Sequence, residues 1–391
     1  MRNVYAVGLG ITKFARHESP IIELAAYSAM IAMKDAGIDK IDQLYVANMG
    51  SARINRQTAL SSAVVDTLGL TPAGACSIEN GPASGGSAVK EGFMAVASGL
   101  CDVVMVIGVE RMREVNGLEA TDFIASLTHP VAEYIYGVTL PSLAGMFTRM
   151  YMDKYGVTER HLAMVAVKNH ANALLNPYAH LKQKITIEGI IDSPEAMTNN
   201  PYVAEPLRFF DCCPVSDGSA CVILASEEVA RKLNKPMVRL AGVGQATDTH
   251  AVQDREDPTD LLAVRRASKM AMDMAGVKPS DVSVAELHDA FTILEIVESE
   301  EVGFFDKGKG HIALENGETS LTGRMPINPS GGLKGKGHPV GATGVGQVHE
   351  IVTQLRGEAG QRQIKDARVG FTCNFGGFGN NVVCTTFIKE N

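Results

Sequence analysis

Three stretches of this chain set groups that can move protons or attack carbon beside turns that expose the backbone. The first is Asn328-Pro329-Ser330-Gly331-Gly332 followed by Gly337-His338-Pro339-Val340-Gly341-Ala342-Thr343-Gly344, with five glycines and one imidazole at a predicted loop-to-helix junction. Glycine lets backbone approach a ligand closely, and imidazole titrates near neutral pH, so His338 is a candidate acid or base. The second is His288-Asp289-Ala290-Phe291 at the end of a predicted strand. The third is Cys373-Asn374-Phe375-Gly376-Gly377-Phe378-Gly379, a thiol ahead of a glycine turn. Each has a purely structural alternative: a core histidine, a strand-end histidine bonded to a loop, and a buried inert thiol.

These groups need a frame to converge on, and an internal repeat supplies one. Ala32-Met33 and Ala36-Gly37 recur 239 residues later as Ala271-Met272 and Ala275-Gly276, and Asp42 recurs as Asp281. Each copy is a helix with small and apolar residues three and four apart, ending at a glycine suited to a left-handed cap. A strand follows each, over residues 44–47 and 282–287. Near the ends of the halves, Gly81-Pro82-Ala83-Ser84-Gly85-Gly86 opens a helix toward Ser98, and Gly337 to Ala342 opens another toward Leu355. Buried-strand patterns follow at 102–109 and at 368–373 with 381–387. In such a duplication two helix N-termini can face each other, and their N–H groups favour anionic groups. Residues 113–200 carry helical patterning broken by prolines and are too long for a connection. They read as an inserted loop domain covering one face.

Composition narrows the classes. With 391 residues, 45% hydrophobic and 20% charged, the chain is large enough for a substantial core and too apolar for disorder. A net charge of −8 without runs of Lys and Arg disfavours nucleic acid. Apolar runs such as 103–109 are far short of a membrane span. No export signal is visible, and seven cysteines without Cys-x-x-Cys pairs indicate a reducing cytoplasm, with neither a metal site nor a disulfide framework. Gly8-Leu9-Gly10 lacks the third glycine of a dinucleotide fold, and Lys334-Gly335-Lys336-Gly337 lacks the Gly-Lys-Ser/Thr of a phosphate loop.

Taken together, the three stretches resemble the thiolase superfamily. His338 sits in what looks like its Gly-His-Pro motif. His288 to Phe291 resembles the Asn-Glu-Ala-Phe motif and, more closely, the His-Asp variant of the sterol-carrier-protein and archaeal types. Cys373 matches the C-terminal cysteine that serves as general acid and base. Further likeness covers nearly the whole length, including residues 4–12, 103–112, 155–157, 172–180 and 214–220. The resemblance implies a thiolase fold: duplicated α/β halves in five α-β-α-β-α layers, one formed by 1–112 with 201–240 and the other by 241–391, plus a loop domain at 113–200. It implies acyl-CoA as substrate, coenzyme A as co-substrate with no permanently bound cofactor, a homodimer built from the N-terminal half, and in this subclass often a small zinc-ribbon and OB-fold partner. His338, Cys373 and His288 inherit catalytic roles, with His288 at the thioester oxygen. Phe375, Gly376 and Ser84 inherit positions around the oxyanion or substrate. No motif identifies the residues that grip the CoA nucleotide, although the family's variable loop would fall near 245–257.

One departure matters. Where the family's first facing helix begins Cys-Ala-Ser-Gly, this chain has Pro82-Ala83-Ser84-Gly85. Proline suits a first helical turn, but sulfur nucleophile and N–H donor vanish together, and one oxyanion donor alone is worth about 10²- to 10³-fold in rate. Four outcomes stay open. Cys373 becomes the nucleophile and a β-ketoacyl-CoA is still cleaved with CoA as acceptor, the favoured expectation. Alternatively, the histidines and Cys373 run a retro-aldol cleavage of a β-hydroxyacyl-CoA, a partner subunit completes the site, or the chain is a non-catalytic CoA-binding scaffold.

Overall fold

A computed structural model describes residues 1–390. Nine strands form one mixed sheet: β1 (Val4–Ile11), β2 (Gln43–Ala47), β3 (Gly74–Ile78), β4 (Val103–Arg111), and, beyond a small hairpin of β5 (Tyr202–Ala204) and β6 (Leu207–Arg208), β7 (Asp217–Ser226), β8 (Val238–Thr247), β9 (Val284–Glu286), β10 (Val369–Gly376) and β11 (Asn381–Lys389). Their order is β3-β2-β4-β7-β1-β8-β11-β10-β9. Reading outward from the middle, β1-β7-β4-β2 and β8-β11-β10-β9 repeat the same senses: antiparallel, antiparallel, parallel. The counterpart of β3 in the second half shrinks to one parallel bridge between Ala285 and Ile327. Within the sheet the halves meet at the seam through the Tyr5–Arg239 pairing of β1 and β8.

The helical repeat is equally plain. α1 (Ile21–Ala36) ends at Gly37 with φ 70°. Its copy, Leu262–Ala275, ends at Gly276 with φ 71°, the left-handed cap that glycine adopts without strain. Both helices press onto their strands at glycines: a Cβ on Gly10 would lie 2.0 Å from the Ser28 carbonyl, and one on Gly244 2.1 Å from that of Ala267. Ser28 and Ala267 stand 239 residues apart, the offset of the sequence repeat.

The remaining helices in chain order are α2 (Leu60–Thr67), α3 (Ser84–Ser98), α4 (Gly117–Ala125), α5 (Leu140–Tyr155), α6 (Glu159–Leu175), α7 (Ala196–Asn199), α8 (Glu227–Lys232), the repeat helix α9 (Leu262–Ala275), α10 (Thr292–Glu301), α11 (Gly310–Glu315), α12 (Gly332–Lys336) and α13 (Thr343–Arg356). α1 and α2 cover the outer face of the first half, and α9 that of the second. α3 and α13 pack on each other and on both halves of the sheet, burying Val89, Val96, Val345 and Ile351 between them. This gives the five-layered thiolase arrangement. α4 to α7 follow β4, and of these α4 and α5 supply residues to the wall of a cavity at the site.

Two local departures from the sequence reading serve the site. The strand expected over 282–287 is confined to Val284–Glu286, because the Leu287 N–H turns to the Asn328 side chain and the His288 N–H to Glu298. The helix expected to open at 337 starts at Thr343. Gly337 is left-handed with φ 113°, and Val340–Ala342 form one tight turn whose Gly341 N–H is held by Glu110 at 3.0 Å.

Candidate active site

The first turns of α3 and α13 meet head to head. A Cβ on Gly85 would stand 2.8 Å from the backbone N of Gly344, so only glycine lets the two helix starts touch. Asn374 on β10 locks the junction. Its Oδ1 accepts the Gly86 N–H at 2.8 Å and its Nδ2 donates to the Pro82 carbonyl at 3.0 Å, joining segments 288 and 292 residues apart. An apolar cavity opens beside this junction, with Pro82, His288, His338 and Phe375 in its wall.

The two imidazoles stand with ring centroids 5.0 Å apart and planes at 89°, and their hydrogen bonds give them opposite tautomers. At His288, Nδ1 faces two donors, the Phe375 N–H and Asn374 Nδ2, each at 3.4 Å. Nδ1 is therefore an acceptor and Nε2 carries the proton. At His338, Nδ1 lies 2.7 Å from Thr343 Oγ1. With its proton on the Pro339 carbonyl, 3.0 Å away, the Thr343 hydroxyl accepts from His338 Nδ1–H and leaves the His338 Nε2 lone pair free. One ring offers an N–H and the other a lone pair. Both stay neutral: burial pushes His338 down to about 3, and burial, then the neighbouring His338, pushes His288 well below its usual value.

Cys373 does not join them. Its side chain is fully buried, absent from the cavity wall, and packed in the core among Leu287, Phe371 and Cys384. Burial first, then Cys384 and Glu298, raise its thiol well above the ordinary range. Strand alternation sets Asn374 against α3 and turns Cys373 toward α10, where Glu298 lies, rather than into the cavity wall where a replacement nucleophile was expected. Phe375 does line the cavity, stacked on His288 at 5.7 Å, but its N–H, expected to face the reacting carbonyl, is spent on His288 Nδ1. Ser84 is buried and faces away from the cavity, bonding the Gly81 carbonyl and the Asn80 N–H. Gly376 lies on the neighbouring polar opening rather than in this cavity. Pro82 sits two residues ahead of α3, in the turn closed by the Ala83 and Ser84 N–H groups. No hydrogen bond of that turn calls for an N–H at 82.

Several site residues escaped the sequence reading. Asn374 and Thr343 fix the two tautomers, though both lie inside motifs quoted for other members. Glu110, buried, collects N–H groups from Met49, Gly50 and Gly341 and so anchors the turn after His338. Glu298 holds the His288 backbone at 2.9 Å. Burial raises Glu298 to about 8, so it is protonated at neutral pH. Cys212 and Cys213 line the cavity, and burial raises both thiols to about 12. No cluster of three or more His, Cys, Asp or Glu side chains able to hold a metal occurs among the described residues, and no helix among them is long and apolar enough to cross a membrane.

Known proteins share this fold. Residues 4–228 match the thiolase N-terminal domain family and residues 244–389 the thiolase C-terminal domain-like family. The chain is 41% identical over 392 residues to an acetyl-CoA acetyltransferase of Methanothermobacter thermautotrophicus, covering all of both chains. It is 32% identical to the benzoylsuccinyl-CoA thiolase subunit BbsB of Thauera aromatica, over 96% of this chain and 95% of that one. Among solved structures, the Ltp2-ChsH2(DUF35) aldolase superposes with a TM-score of 0.82 at 26% identity, over 98% of this chain and 97% of that one. With both family models matched and a relative aligned end to end, the chain belongs to the thiolase superfamily and is a homologue of its acetyl-CoA acetyltransferases.

Proposed function

We propose that this chain cleaves or forms the bond between the α and β carbons of an acyl-CoA thioester by proton transfer alone, as a retro-aldolase acting on a β-hydroxyacyl-CoA. The observation that carries this reading is the pair of neutral imidazoles of opposite tautomer in one apolar cavity, beside Pro82 and with Cys373 outside its wall. His338 Nε2 takes the proton of the β-hydroxyl. The Cα–Cβ bond then breaks, its electron pair moving into the thioester carbonyl, and a ketone or aldehyde leaves. His288 Nε2–H donates to the resulting enolate oxygen, and the His338 imidazolium returns its proton to the α carbon. An isolated imidazolium is costly in this cavity, so it persists only while the anion lies beside it. Coenzyme A remains attached to the shortened acyl group throughout.

A second reading, thiolytic cleavage of a β-ketoacyl-CoA, is favoured by the 41% identity to an acetyl-CoA acetyltransferase and by the thiols of Cys212 and Cys213 in the cavity wall. Intact-mass spectrometry during turnover separates the two. The first reading expects products with no acylated cysteine and turnover within about threefold of wild type in Cys373→Ala. An acyl adduct on Cys212 or Cys213 overturns it in favour of the second. Absence of turnover with every β-hydroxy and β-keto thioester leaves the scaffold reading.

Two associations extend the proposal. β3 is an exposed edge strand at residues 74–77, which supports pairing with a second copy into a homodimer. Similarity to a two-component Ltp2-ChsH2(DUF35) aldolase supports a small zinc-ribbon and OB-fold partner. Light scattering of the chain alone, and pull-down with the candidate partner, test each.

A further inference from the structure

The cavity wall identifies the acyl group more narrowly than the proposed reaction does. Among its lining residues none carries a full charge at neutral pH. The two histidines are held neutral, the thiols of Cys212 and Cys213 are pushed up to about 12, and the rest is almost entirely hydrocarbon. Phe291, Phe375 and Phe378 contribute three aromatic rings, with Phe375 and Phe378 edge to face at 6.3 Å. Ile124 and Leu127 approach from the segment over the cleft, and Leu127 packs directly over Gly81, beside Pro82.

Size and polarity then decide between occupants. The cavity measures about 170 Å³, and an apolar void of about 150 Å³ already takes up a benzene ring. An acetyl group would leave most of it unfilled. The pantetheine arm of CoA is the wrong occupant, since its amides and hydroxyl need partners that this wall does not supply, and unpaired polar groups are costly to bury. A carboxylated acyl chain is excluded more strongly, because a buried carboxylate requires a cation and no lysine or arginine lines the wall.

Resting on the reading of this cavity as the acyl-CoA site, we infer that the acyl group is a ring-sized, uncharged hydrocarbon, aromatic or branched, and that Ile124, Leu127 and Phe378 set its size. The test measures binding apart from turnover, by calorimetry with unreactive thioether analogues of three CoA esters that differ only in the acyl end: acetoacetyl, benzoylacetyl and 3-oxoadipyl. The benzoylacetyl analogue is expected to bind at least about 50-fold tighter than the acetoacetyl one, the worth of roughly three further buried methylenes, and the 3-oxoadipyl analogue no better than the acetoacetyl. Ile124→Trp, which fills the space, should abolish the 50-fold preference. Equal affinity for acetoacetyl and benzoylacetyl, or preference for 3-oxoadipyl, overturns the inference. If the benzoylacetyl analogue wins in binding but its β-hydroxy and β-keto thioesters are never cleaved, the acyl class stands and the proposed reaction falls. If small acyl thioesters are both bound and cleaved best, the reaction stands and the acyl class falls.

Discussion

Replacing Thr343 by valine removes one oxygen and almost no volume, yet it should silence most of the chemistry. Thr343 is buried at the start of α13, and its hydroxyl is the acceptor that holds the His338 Nδ1 proton at 2.7 Å. With a methyl there instead, a proton on Nδ1 would be buried without a partner, at a cost of about 1–3 kcal/mol. The ring escapes that cost by moving its proton to Nε2, which presents an N–H where the proposed base must present a lone pair. At about 1.4 kcal/mol per decade, the competent tautomer falls roughly 5- to 150-fold, and kcat/KM should fall in step while the affinity for an unreactive CoA analogue hardly changes. Thr343→Ser restores the acceptor and should recover most of the rate. Long-range ¹⁵N–¹H spectra of labelled protein read the tautomer independently of turnover, and thermal melts check that the fold is intact. Full activity in Thr343→Val with the His338 proton shown to reside on Nε2 would refute the assignment of His338 as base.

Other outcomes follow from the same geometry. Pro82→Cys places a thiol in the cavity wall next to the α3 N-terminus, and the Asn374 bond to the residue 82 carbonyl survives the change; peptide mapping should find it alkylated by iodoacetamide faster than Cys373, and equal rates would contradict the placement of Cys373. Gly85→Ala drives a methyl into the Gly344 backbone at 2.8 Å, where no side chain can give way, and should cost about 3 kcal/mol or more, read as a lowered denaturant midpoint. Glu298, raised to about 8, keeps its proton in the folded state while the unfolded chain releases it near 4.3. Stability attributable to this group therefore falls as pH rises from about 4.5 to 8, by an amount on the order of 4 kcal/mol, and is flat above. Glu298→Gln should lessen the fall of Tm between pH 5 and 8 without removing it, since Asp289 and Glu110, both raised to about 7, contribute comparable amounts; an unchanged slope would mean that Glu298 is ionised in the fold.

Much of the architecture is legible in the chain because it depends on local spacing. The small-residue helices ending at Gly37 and Gly276 and the two glycine-opened central helices are periodic features, and their duplication implies the rest. The histidines are legible for a similar reason, each sitting in a glycine-rich or strand-end motif. The orientation of Cys373 is not legible in this way, because which face a strand turns to a cavity depends on register with neighbours more than a hundred residues away, here the Asn374 contacts to Gly86 and Pro82. Hydrogen-bond direction is likewise invisible in sequence. Nothing in Gly337 to Gly344 says that Thr343 faces Nδ1, and nothing near His288 says that Phe375 gives up its N–H.

The Asn374 clamp has a kinetic corollary. Each half has its own sheet segment and outer helix and can gather locally, but the cavity exists only after Asn374 has reached Gly86 and Pro82 across almost three hundred residues of chain, and such distant closures come late. During refolding, secondary structure and the burial of the outer helices should therefore recover before any capacity to bind an acyl-CoA. Ligand binding would then report on the docking of two pre-formed halves rather than on the folding of either.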